Sequence, residues 1–206
     1  MIVGYRGKRA FDLALLAVAS VPVGAVGLAC AVAIKVDSPG PVFFRQERVG
    51  LRGKSFDVYK FRTMVDNPDG NPLFPDATVI TRVGRVLRRL SLDELPQLID
   101  VLRGEMSIVG PRPTLAYQVE QYDDFQRRRL EVRPGVTGLA QVNGRNSLLW
   151  EERIVWDVKY VDTASLLLDL RILARSIKVV LLGEGVDGHP TDDVIANPDE
   201  GRSDAR

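Results

Sequence analysis

Ser91-Leu92-Asp93-Glu94-Leu95-Pro96-Gln97 stands at the centre of this chain of 206 residues. Two adjacent carboxylates occur here, directly after a predicted basic helix over residues 80–89 that contains Arg88. A Gly-Pro-Arg-Pro turn at residues 110–113 adds Arg112. Guanidinium groups bind phosphate in a bidentate way, and cations beside a carboxylate keep it ionised. The pattern indicates phosphate chemistry, with Asp93 or Glu94 as a nucleophile or metal ligand.

The same residues also fit a purely structural interpretation. Ser91 and Glu94 have the spacing of a capping box, with Ser91 at the N-cap and Glu94 at the third helical position. Asp93 would then lie in the first turn, where a negative charge suits the helix dipole. The helix is expected over residues 92–103, and its buried face is formed by Leu92, Leu95, Leu98, Ile99 and Leu102. Both interpretations stay open, because one carboxylate can cap a helix in one state and bind a metal in another.

Composition restricts the chemistry that the chain can perform. Its length fits one domain, and a net charge of +1 provides no overall field for binding nucleic acid. A single cysteine, Cys30, excludes an internal disulfide. With His189 as the single histidine, a Cys/His zinc site and a histidine-based triad are also excluded. Any transfer or hydrolysis must therefore use carboxylates.

Residues 13–34 carry no charged side chain and are long enough to cross a bilayer as a helix. Basic residues flank both ends of the segment, so the positive-inside rule is best satisfied if both ends are cytoplasmic. Ser20 and Pro22 lie near its middle, where proline removes a hydrogen bond and bends a helix. From these residues, a spanning helix and a re-entrant helix that breaks at Ser20 and Pro22 remain alternatives.

The remainder predicts a small hairpin followed by helices. Residues 42–49 and 55–62 flank a glycine-containing turn, and their alternation predicts a β-hairpin whose polar side presents Lys60 and Arg62 together. Further helices are expected over residues 114–130, 150–160 and 163–182, the last amphipathic enough to lie in a membrane interface. The acidic tail, residues 184–206, is expected to be disordered.

Residues 134–146 predict a long loop with too few hydrophobic residues to be part of the core. The loop collects polar side chains of the types that bind the edge of a sugar or a base: Gln141, Asn143, Arg145 and Asn146. Most loops of this kind are only connections, so a binding role and a connecting role both remain open.

Several ordered motifs resemble the bacterial sugar transferase family, specifically its small monotopic phosphoglycosyl transferases. The matching segments are residues 8–12, 38–46, 59–64, 92–97, 106–113, 133–138 and 141–146. The resemblance runs from residue 8 to residue 183 and implies an α+β, mostly helical fold. It further implies a re-entrant membrane helix (residues 1–36) broken at Ser20 and Pro22, and a catalytic domain with amphipathic interfacial helices (residues 37–183). That domain would lie on the cytoplasmic face of the bacterial inner membrane.

The resemblance also implies an activity: transfer of a sugar-1-phosphate from a UDP-sugar to undecaprenyl phosphate, with release of UMP. Asp93 would attack the β-phosphate and form a covalent intermediate, and Asp93 and Glu94 would bind Mg²⁺. The candidate phosphate-binding residues are Arg88, Arg112, Lys60 and Arg62. The candidate nucleotide-sugar residues are Gln141, Asn143, Arg145 and Asn146. Membrane lipids are expected partners, and the family also allows a homodimer.

Two other functions fit part of the pattern. A membrane-anchored assembly protein of a polysaccharide export system would bind anionic lipid through its basic face but release no UMP. A transferase that uses a ternary complex would form the same product without a covalent enzyme species. The two products to measure are therefore UMP and a sugar-phosphate adduct of the protein.

Overall fold

The computed structural model describes residues 4–66, 78–144 and 147–182. The fold is α+β and mostly helical, as predicted. In this part of the chain the helices are α1 (Lys8–Asp37), α2 (Arg82–Arg89), α3 (Leu98–Arg103), α4 (Ala116–Glu120), α5 (Asp124–Arg127), α6 (Leu139–Val142), α7 (Trp150–Thr163) and α8 (Leu166–Leu182). The strands are β1 (Phe43–Val49), β2 (Ser55–Phe61), β3 (Met64–Asp66), β4 (Thr78–Ile80), β5 (Ser107–Val109) and β6 (Gly135–Thr137).

The strands form three two-stranded sheets, of which the β1–β2 hairpin confirms the sequence prediction. β3 and β4 are also antiparallel, whereas β5 and β6 are parallel. In β2, Phe56 and Val58 are buried, and Lys60 follows them at the same alternation. Because alternate residues of a strand point to the same face, Lys60 lies on the inward face. Arg62 continues the same alternation directly after β2, and both side chains line one cavity, so the prediction that the hairpin presents Lys60 and Arg62 together is confirmed.

Helix α1 is continuous for 30 residues and passes through Pro22. The Ser20 hydroxyl donates to the Ala17 carbonyl at 2.8 Å, so it bonds to the helix backbone in the turn that precedes Pro22. No interruption of secondary structure occurs at Ser20 or Pro22. In the described residues, α1 is the one helix long and apolar enough to span a membrane. Its re-entrant course stays a prediction.

Both ends of α1 pack against the same globular part of the chain. Near the N-terminal end, Leu16 is part of the main hydrophobic core. Near the C-terminal end, Cys30 and Ile34 are buried in a second cluster with Phe61 and Leu87. None of residues 17–29 is buried. The helix is therefore held at its two ends, and its apolar middle is left uncovered by protein.

A buried polar network holds the first turn of α1. The Lys8 ammonium lies 2.9 Å from Asp12 Oδ1 and 2.8 Å from Asp169 Oδ2. The phenols of Tyr5 and Tyr160 each donate to Asp169 at 2.8 Å. Burial and the Asp169 charge raise the pKa of Tyr160 above its ordinary value, which keeps that phenol a neutral donor. The network joins α1 to α7 and α8.

The prediction of one helix over residues 114–130 is wrong. The structure has α4, then α5, then a 3-10 turn at Arg128–Glu131. Asp123 explains the interruption, because its carboxylate accepts a hydrogen bond from the Gln126 amide at 2.7 Å and so starts a new helix.

Residues 134–146 are not simply a loop outside the core, as predicted from their composition. They include β6 and α6, in which Leu139, Ala140 and Val142 are buried. The backbone itself is closely packed, since a Cβ on Gly138 would lie 2.1 Å from the Gly110 carbonyl oxygen. Few hydrophobic side chains are needed where two glycine-containing segments pack directly on each other.

Helix α3 carries a fully buried carboxyl, Asp100, whose Oδ2 accepts a hydrogen bond from the Tyr59 amide at 3.3 Å. Burial raises the pKa of Asp100 to about 6, although this hydrogen bond and Arg103 oppose the change. A pKa above the ordinary value of about 4 means that the native state binds this proton more tightly than the unfolded state.

We therefore expect Asp100→Asn to reduce the dependence of stability on pH. In the native protein, the contribution of Asp100 is fully present below about pH 4 and is lost as the pH rises through 6. Unfolding midpoints measured from pH 4 to pH 8 should fall less steeply for the variant. The exposed Asp124→Asn is the matched control. If the unfolding midpoint of Asp100→Asn falls with pH as steeply as that of the unmodified protein, the expectation is contradicted.

Candidate active site

Asp93 and Glu94 lie on a 3-10 turn, Leu92–Gln97, that connects α2 to α3. Pro96 prevents an α-helix here, because it lacks an N–H and its ring clashes with the carbonyl four residues earlier. Ser91 has a left-handed backbone, with φ of 53°, and its side chain makes no capping hydrogen bond. The predicted capping box is therefore wrong, and the Glu94 carboxylate has other partners.

The predicted apolar face of a helix over residues 92–103 is also wrong in part. Ile99 and Leu102 are 42% and 59% exposed, whereas Asp100 and Val101 are completely buried. Leu98 does pack against the core. The change from a 3-10 turn to α-helix at Leu98 alters the number of residues per turn, so one helical spacing does not describe the whole segment.

Glu94 is held by two cations from distant parts of the sequence. Its Oε1 accepts hydrogen bonds from Lys60 Nζ at 3.0 Å and from Arg112 Nη2 at 2.6 Å. Burial alone would raise the pKa of Glu94, but the charges and hydrogen bonds of Arg112 and Lys60 outweigh it and lower the pKa to about 2. Glu94 is therefore ionised throughout the physiological pH range and orients both cations.

Asp93 differs from its neighbour. Among the described residues, its carboxylate has no hydrogen-bond or ion-pair partner. Burial, followed by the negative charge of Glu94, raises the pKa of Asp93, although Lys60, Arg112 and Arg88 oppose the change. The cations therefore act in the expected direction on both carboxylates, but at Asp93 burial and the Glu94 charge outweigh them. Because the described residues do not occupy its oxygens, the Asp93 carboxylate is the one of the two that is open to a substrate phosphorus.

A cavity of about 560 Å³ brings these groups together. Its lining includes Asp93, Glu94, Lys60, Arg112 and Arg88. This volume is in the range of small-molecule sites, which are roughly 300–1,000 Å³. The cations Lys60, Arg112 and Arg88 beside this carboxylate pair form a site suited to a substrate with several phosphate charges.

Arg88 reaches the cavity from the last turn of α2. Its Nε donates to Thr63 Oγ1 at 2.9 Å, and its side chain is exposed. Close packing of α2 makes this contact feasible, since a Cβ on Gly84 would lie 2.2 Å from the Thr63 carbonyl oxygen. Because Arg88 also lines the cavity, its guanidinium is a candidate phosphate-binding group.

Arg62 also lines the cavity, but its terminal nitrogens bind protein. Nη1 donates to the Pro39 carbonyl at 2.5 Å, and Nη2 donates to the Ser38 carbonyl and hydroxyl at 2.9 and 2.8 Å. These contacts hold the turn that follows α1. The structure thus gives Arg62 a structural role, and its role in phosphate binding stays a prediction.

Of the predicted nucleotide-sugar residues that the structure describes, one lines the cavity and one does not. Gln141 lines the cavity, and its Nε2 donates to the Val136 carbonyl at 3.3 Å. Asn143 is not among the lining residues and instead donates to the Leu139 carbonyl at 2.7 Å, at the end of α6. Arg145 and Asn146 lie outside the described residues, as does the acidic tail.

Sequence reasoning missed a group of cavity residues that includes Arg129, Arg153 and Asp157. Arg129 is the third of three consecutive arginines, and nothing local distinguishes it from Arg128, which pairs with Asp162 at the surface. In α7, Asp157 is one polar residue of an amphipathic helix. Their burial is visible only in the tertiary structure.

Asp93 and Glu94 have the donor chemistry that Mg²⁺ prefers. Mg²⁺ sites commonly use one or two carboxylates, with the remaining ligands supplied by water and substrate phosphates. The Asp93 carboxylate is unpaired among the described residues, and both protein contacts to Glu94 use the same oxygen, Oε1. No group of three or more His, Cys, Asp or Glu residues that could hold a metal occurs in the described part of the chain. The residues present therefore fit a metal that is completed by substrate.

Comparison with known proteins places the chain in a family. The model of the family described as Bacterial sugar transferase matches residues 3–183. Uncharacterized sugar transferase EpsL of Bacillus subtilis (strain 168) is 49% identical over 183 residues, covering 87% of this chain and 89% of the relative. Exopolysaccharide production protein ExoY of Rhizobium meliloti (strain 1021) is 40% identical over 202 residues, covering 89% of each.

A third relative has a more specific name. UDP-glucose:undecaprenyl-phosphate glucose-1-phosphate transferase of Caulobacter vibrioides is 42% identical over 189 residues, covering 84% of this chain and 69% of the relative. This chain belongs to the bacterial sugar transferase family. That membership confirms the resemblance seen in the motifs and the predicted enzyme class, a phosphoglycosyl transferase.

Proposed function

We propose that this enzyme transfers a sugar-1-phosphate from a UDP-sugar to undecaprenyl phosphate and releases UMP. The observation that carries the proposal is the Asp93 carboxylate, which no described residue pairs with, in a cavity where Lys60 and Arg112 are held on Glu94. The names of relatives supply the substrate class, since they describe sugar-phosphate transfer to undecaprenyl phosphate. The reaction would be an early membrane step in polysaccharide assembly.

In the first half-reaction, an Asp93 oxygen attacks the β-phosphorus of the UDP-sugar. The bond from that phosphorus to the bridging oxygen breaks, and UMP leaves with the electron pair. Asp93 is then joined to the sugar phosphate as an acyl phosphate. Lys60, Arg112 and Arg88 lie where they can stabilise the charge on the phosphoryl oxygens.

In the second half-reaction, a phosphate oxygen of undecaprenyl phosphate attacks the same phosphorus. The bond between Asp93 and phosphorus breaks, and the carboxylate is restored. The acceptor oxygen is already anionic, so no general base is required. Glu94 keeps Lys60 and Arg112 in place through both steps.

We propose that Asp93 and Glu94 also bind Mg²⁺ together with the substrate phosphates. A bound Mg²⁺ ion would neutralise charge on the diphosphate and on the leaving UMP. The lowered pKa of Glu94 means that its carboxylate is already ionised at physiological pH. It therefore does not need to lose a proton before it binds a metal ion.

Several features support a monotopic enzyme on the cytoplasmic face of the inner membrane. A spanning α1 would separate its ends by a hydrocarbon layer about 30 Å thick. Leu16 and Ile34, however, are both buried against one domain, with uncovered apolar residues between them. Exposed apolar side chains also occur on α2, on the residue that follows it, and on α3 and α8: Val86, Leu90, Ile99, Leu102, Leu166, Leu167, Leu170 and Ile177. A re-entrant α1 with these helices in the interface would place Asp93 near a lipid phosphate.

The decisive experiment mixes nanodisc-embedded protein with UDP-sugars in the absence of lipid acceptor. The panel contains the sugars named for relatives: glucose, galactose and N-acetylgalactosamine. With one donor, we expect one UMP released per protein molecule and a sugar-phosphate adduct in the intact mass of the protein. Both products should be lost when EDTA removes divalent metal.

The other outcomes identify the alternatives. UMP that appears only after lipid phosphate is added, with no adduct, would indicate a ternary complex. A protein that releases no UMP under either condition, even with Mg²⁺ present, would contradict the proposed activity and favour a lipid-binding assembly protein.

A further inference from the structure

A buried ion pair lies behind the cations of the active site. Arg129 Nη2 is 2.6 Å from Asp157 Oδ2, and the two side chains are 3% and 1% exposed. Both residues line the cavity that contains Asp93 and Glu94. The desolvation of such a pair commonly offsets its Coulomb attraction, so stability alone is weak grounds for its presence. A role in fixing geometry fits the location better.

The guanidinium of Arg129 is held from several sides. Its Nη1 donates to the Tyr122 hydroxyl at 2.6 Å, and that hydroxyl lies 3.1 Å from Thr114 Oγ1. Its central carbon lies 5.4 Å from the centre of the Trp150 ring, within reach of a cation–π interaction. Because these contacts leave the group little freedom, it is a rigid donor.

The remaining contact of Arg129 reaches the active site. Nη2 donates to the Arg112 main-chain carbonyl at 2.9 Å. The Arg112 side chain is itself 43% exposed, yet its Nη2 reaches Glu94 Oε1 at 2.6 Å. An exposed, flexible side chain keeps one geometry best when its backbone is fixed. The preceding residues are tied to β6, with the Gly135 amide donating to the Pro111 carbonyl at 2.8 Å.

We propose that Arg129, held by Asp157 and Tyr122, is a positioning residue that fixes the Arg112 backbone and thereby keeps the Arg112 guanidinium on Glu94. Arg129 does not need to touch substrate for this role, because both of its terminal nitrogens are already bound to protein. The kinetic part of this inference rests on the proposed transferase function. The structural part, from Arg129 to Arg112 to Glu94, does not.

The principal test replaces the buried pair by apolar residues of similar size, Arg129→Met with Asp157→Leu. Removing both charges avoids leaving one unpaired charge in the interior. We expect a folded protein whose kcat for UMP release falls about 10- to 100-fold, since small misplacement of a catalytic group has effects of this size. KM for the UDP-sugar should change less than kcat.

A second measurement is independent of activity. In buffer with EDTA, so that no metal competes with Arg112 for Glu94, the Glu94 carboxyl can be followed by NMR of protein labelled with ¹³C-carboxyl glutamate, and Glu94→Gln assigns the signal. The pKa of Glu94 is lowered chiefly by Arg112 and Lys60 against the effect of burial. If Arg112 leaves its position in the double variant, we expect the pKa of Glu94 to rise by at least about one unit. A purely structural role would not move it.

A milder variant and a control complete the test. Tyr122→Phe keeps every charge and nearly the same shape but removes the hydroxyl that binds Arg129. We expect it to change kcat and the pKa of Glu94 in the same direction as the double variant, by about two- to fivefold in kcat. Ile172→Val, in the main core and outside the cavity lining, is the control for a general loss of packing.

The outcomes separate the inference from the proposed function. If the double variant folds and the pKa of Glu94 in it is unchanged, the inference is overturned. If the double variant does not fold, an unchanged pKa of Glu94 in Tyr122→Phe overturns it. A raised pKa in a protein whose unmodified form releases no UMP would support the positioning role while contradicting the transferase proposal. If Ile172→Val moves the pKa equally, the effect is general and the inference fails.

Discussion

Asp93→Asn is expected to abolish both UMP release and the sugar-phosphate adduct, a loss of about 10⁴-fold or more in kcat. An amide oxygen is a very poor nucleophile compared with a carboxylate, and removal of a covalent nucleophile leaves only the contribution of binding and charge stabilisation. UMP release and intact mass, measured together with the donor identified for the unmodified protein, test this expectation.

The same substitution should leave the fold intact. Asp93 has no hydrogen-bond or ion-pair partner among the described residues, so no contact there is broken. Burial and the neighbouring Glu94 charge raise the pKa of Asp93, which means that the charged form is disfavoured in the native state. Asparagine removes that charge. The free energy of unfolding at pH 8 should therefore be unchanged or higher, which the unfolding midpoint will show.

The control is Asp162→Asn, which removes a carboxylate that pairs with Arg128 at the surface. It should keep full activity. An Asp93→Asn protein that still forms the adduct would exclude Asp93 as the nucleophile. Retained UMP release together with a loss of stability of about 1 kcal/mol would instead show that Asp93 contributes to the fold and not to the reaction.

Lys8→Met is expected to destabilise the protein by about 3–5 kcal/mol, the usual effect of removing one partner of a buried ion pair. Lys8 lies between two carboxylates, Asp12 and Asp169, which are almost completely buried. Without the ammonium, two negative charges remain in the interior. Methionine has a similar length and favours a helix, so the effect should come from the lost charge. Thermal or denaturant unfolding in nanodiscs measures it.

The exposed Arg6 provides a matched control, because Arg6→Met removes a cation from the same end of α1 and should change stability by at most about 0.5 kcal/mol. Adding Asp12→Asn to Lys8→Met should recover part of the loss, since one buried charge is then removed. If Lys8→Met and Arg6→Met have equal small effects, the network around Lys8 does not stabilise the attachment of α1.

Local patterns were sufficient for several features of this protein. The β1–β2 hairpin was predicted because strand alternation and a glycine turn are local properties. Residues 13–34 were recognised as apolar enough for a membrane, and they lie in α1. The Asp93–Glu94 pair and the candidate cations Lys60, Arg88 and Arg112 could be selected because short motifs contain them, and the structure brings all five to one cavity.

The incorrect predictions have a common origin. The helix predicted over residues 92–103 and its capping box depended on local spacing, but Pro96 prevents the α-helix and Glu94 binds distant cations. Ile99 and Leu102 were expected to be buried because apolar residues usually are, yet they are exposed. A single sequence shows which residues can form a face but does not show what covers it.

The sequence by itself determined the chemical groups of this enzyme: a carboxylate pair, nearby cations, an apolar segment and the family to which they belong. The tertiary structure alone decided how those groups differ from one another. The pKa of Glu94 is lowered because Lys60 and Arg112 contact its carboxylate, whereas burial and the Glu94 charge raise the pKa of Asp93, which has no such contact among the described residues. Electric fields and burial depend on distances between residues far apart in the chain, and those distances exist only after folding.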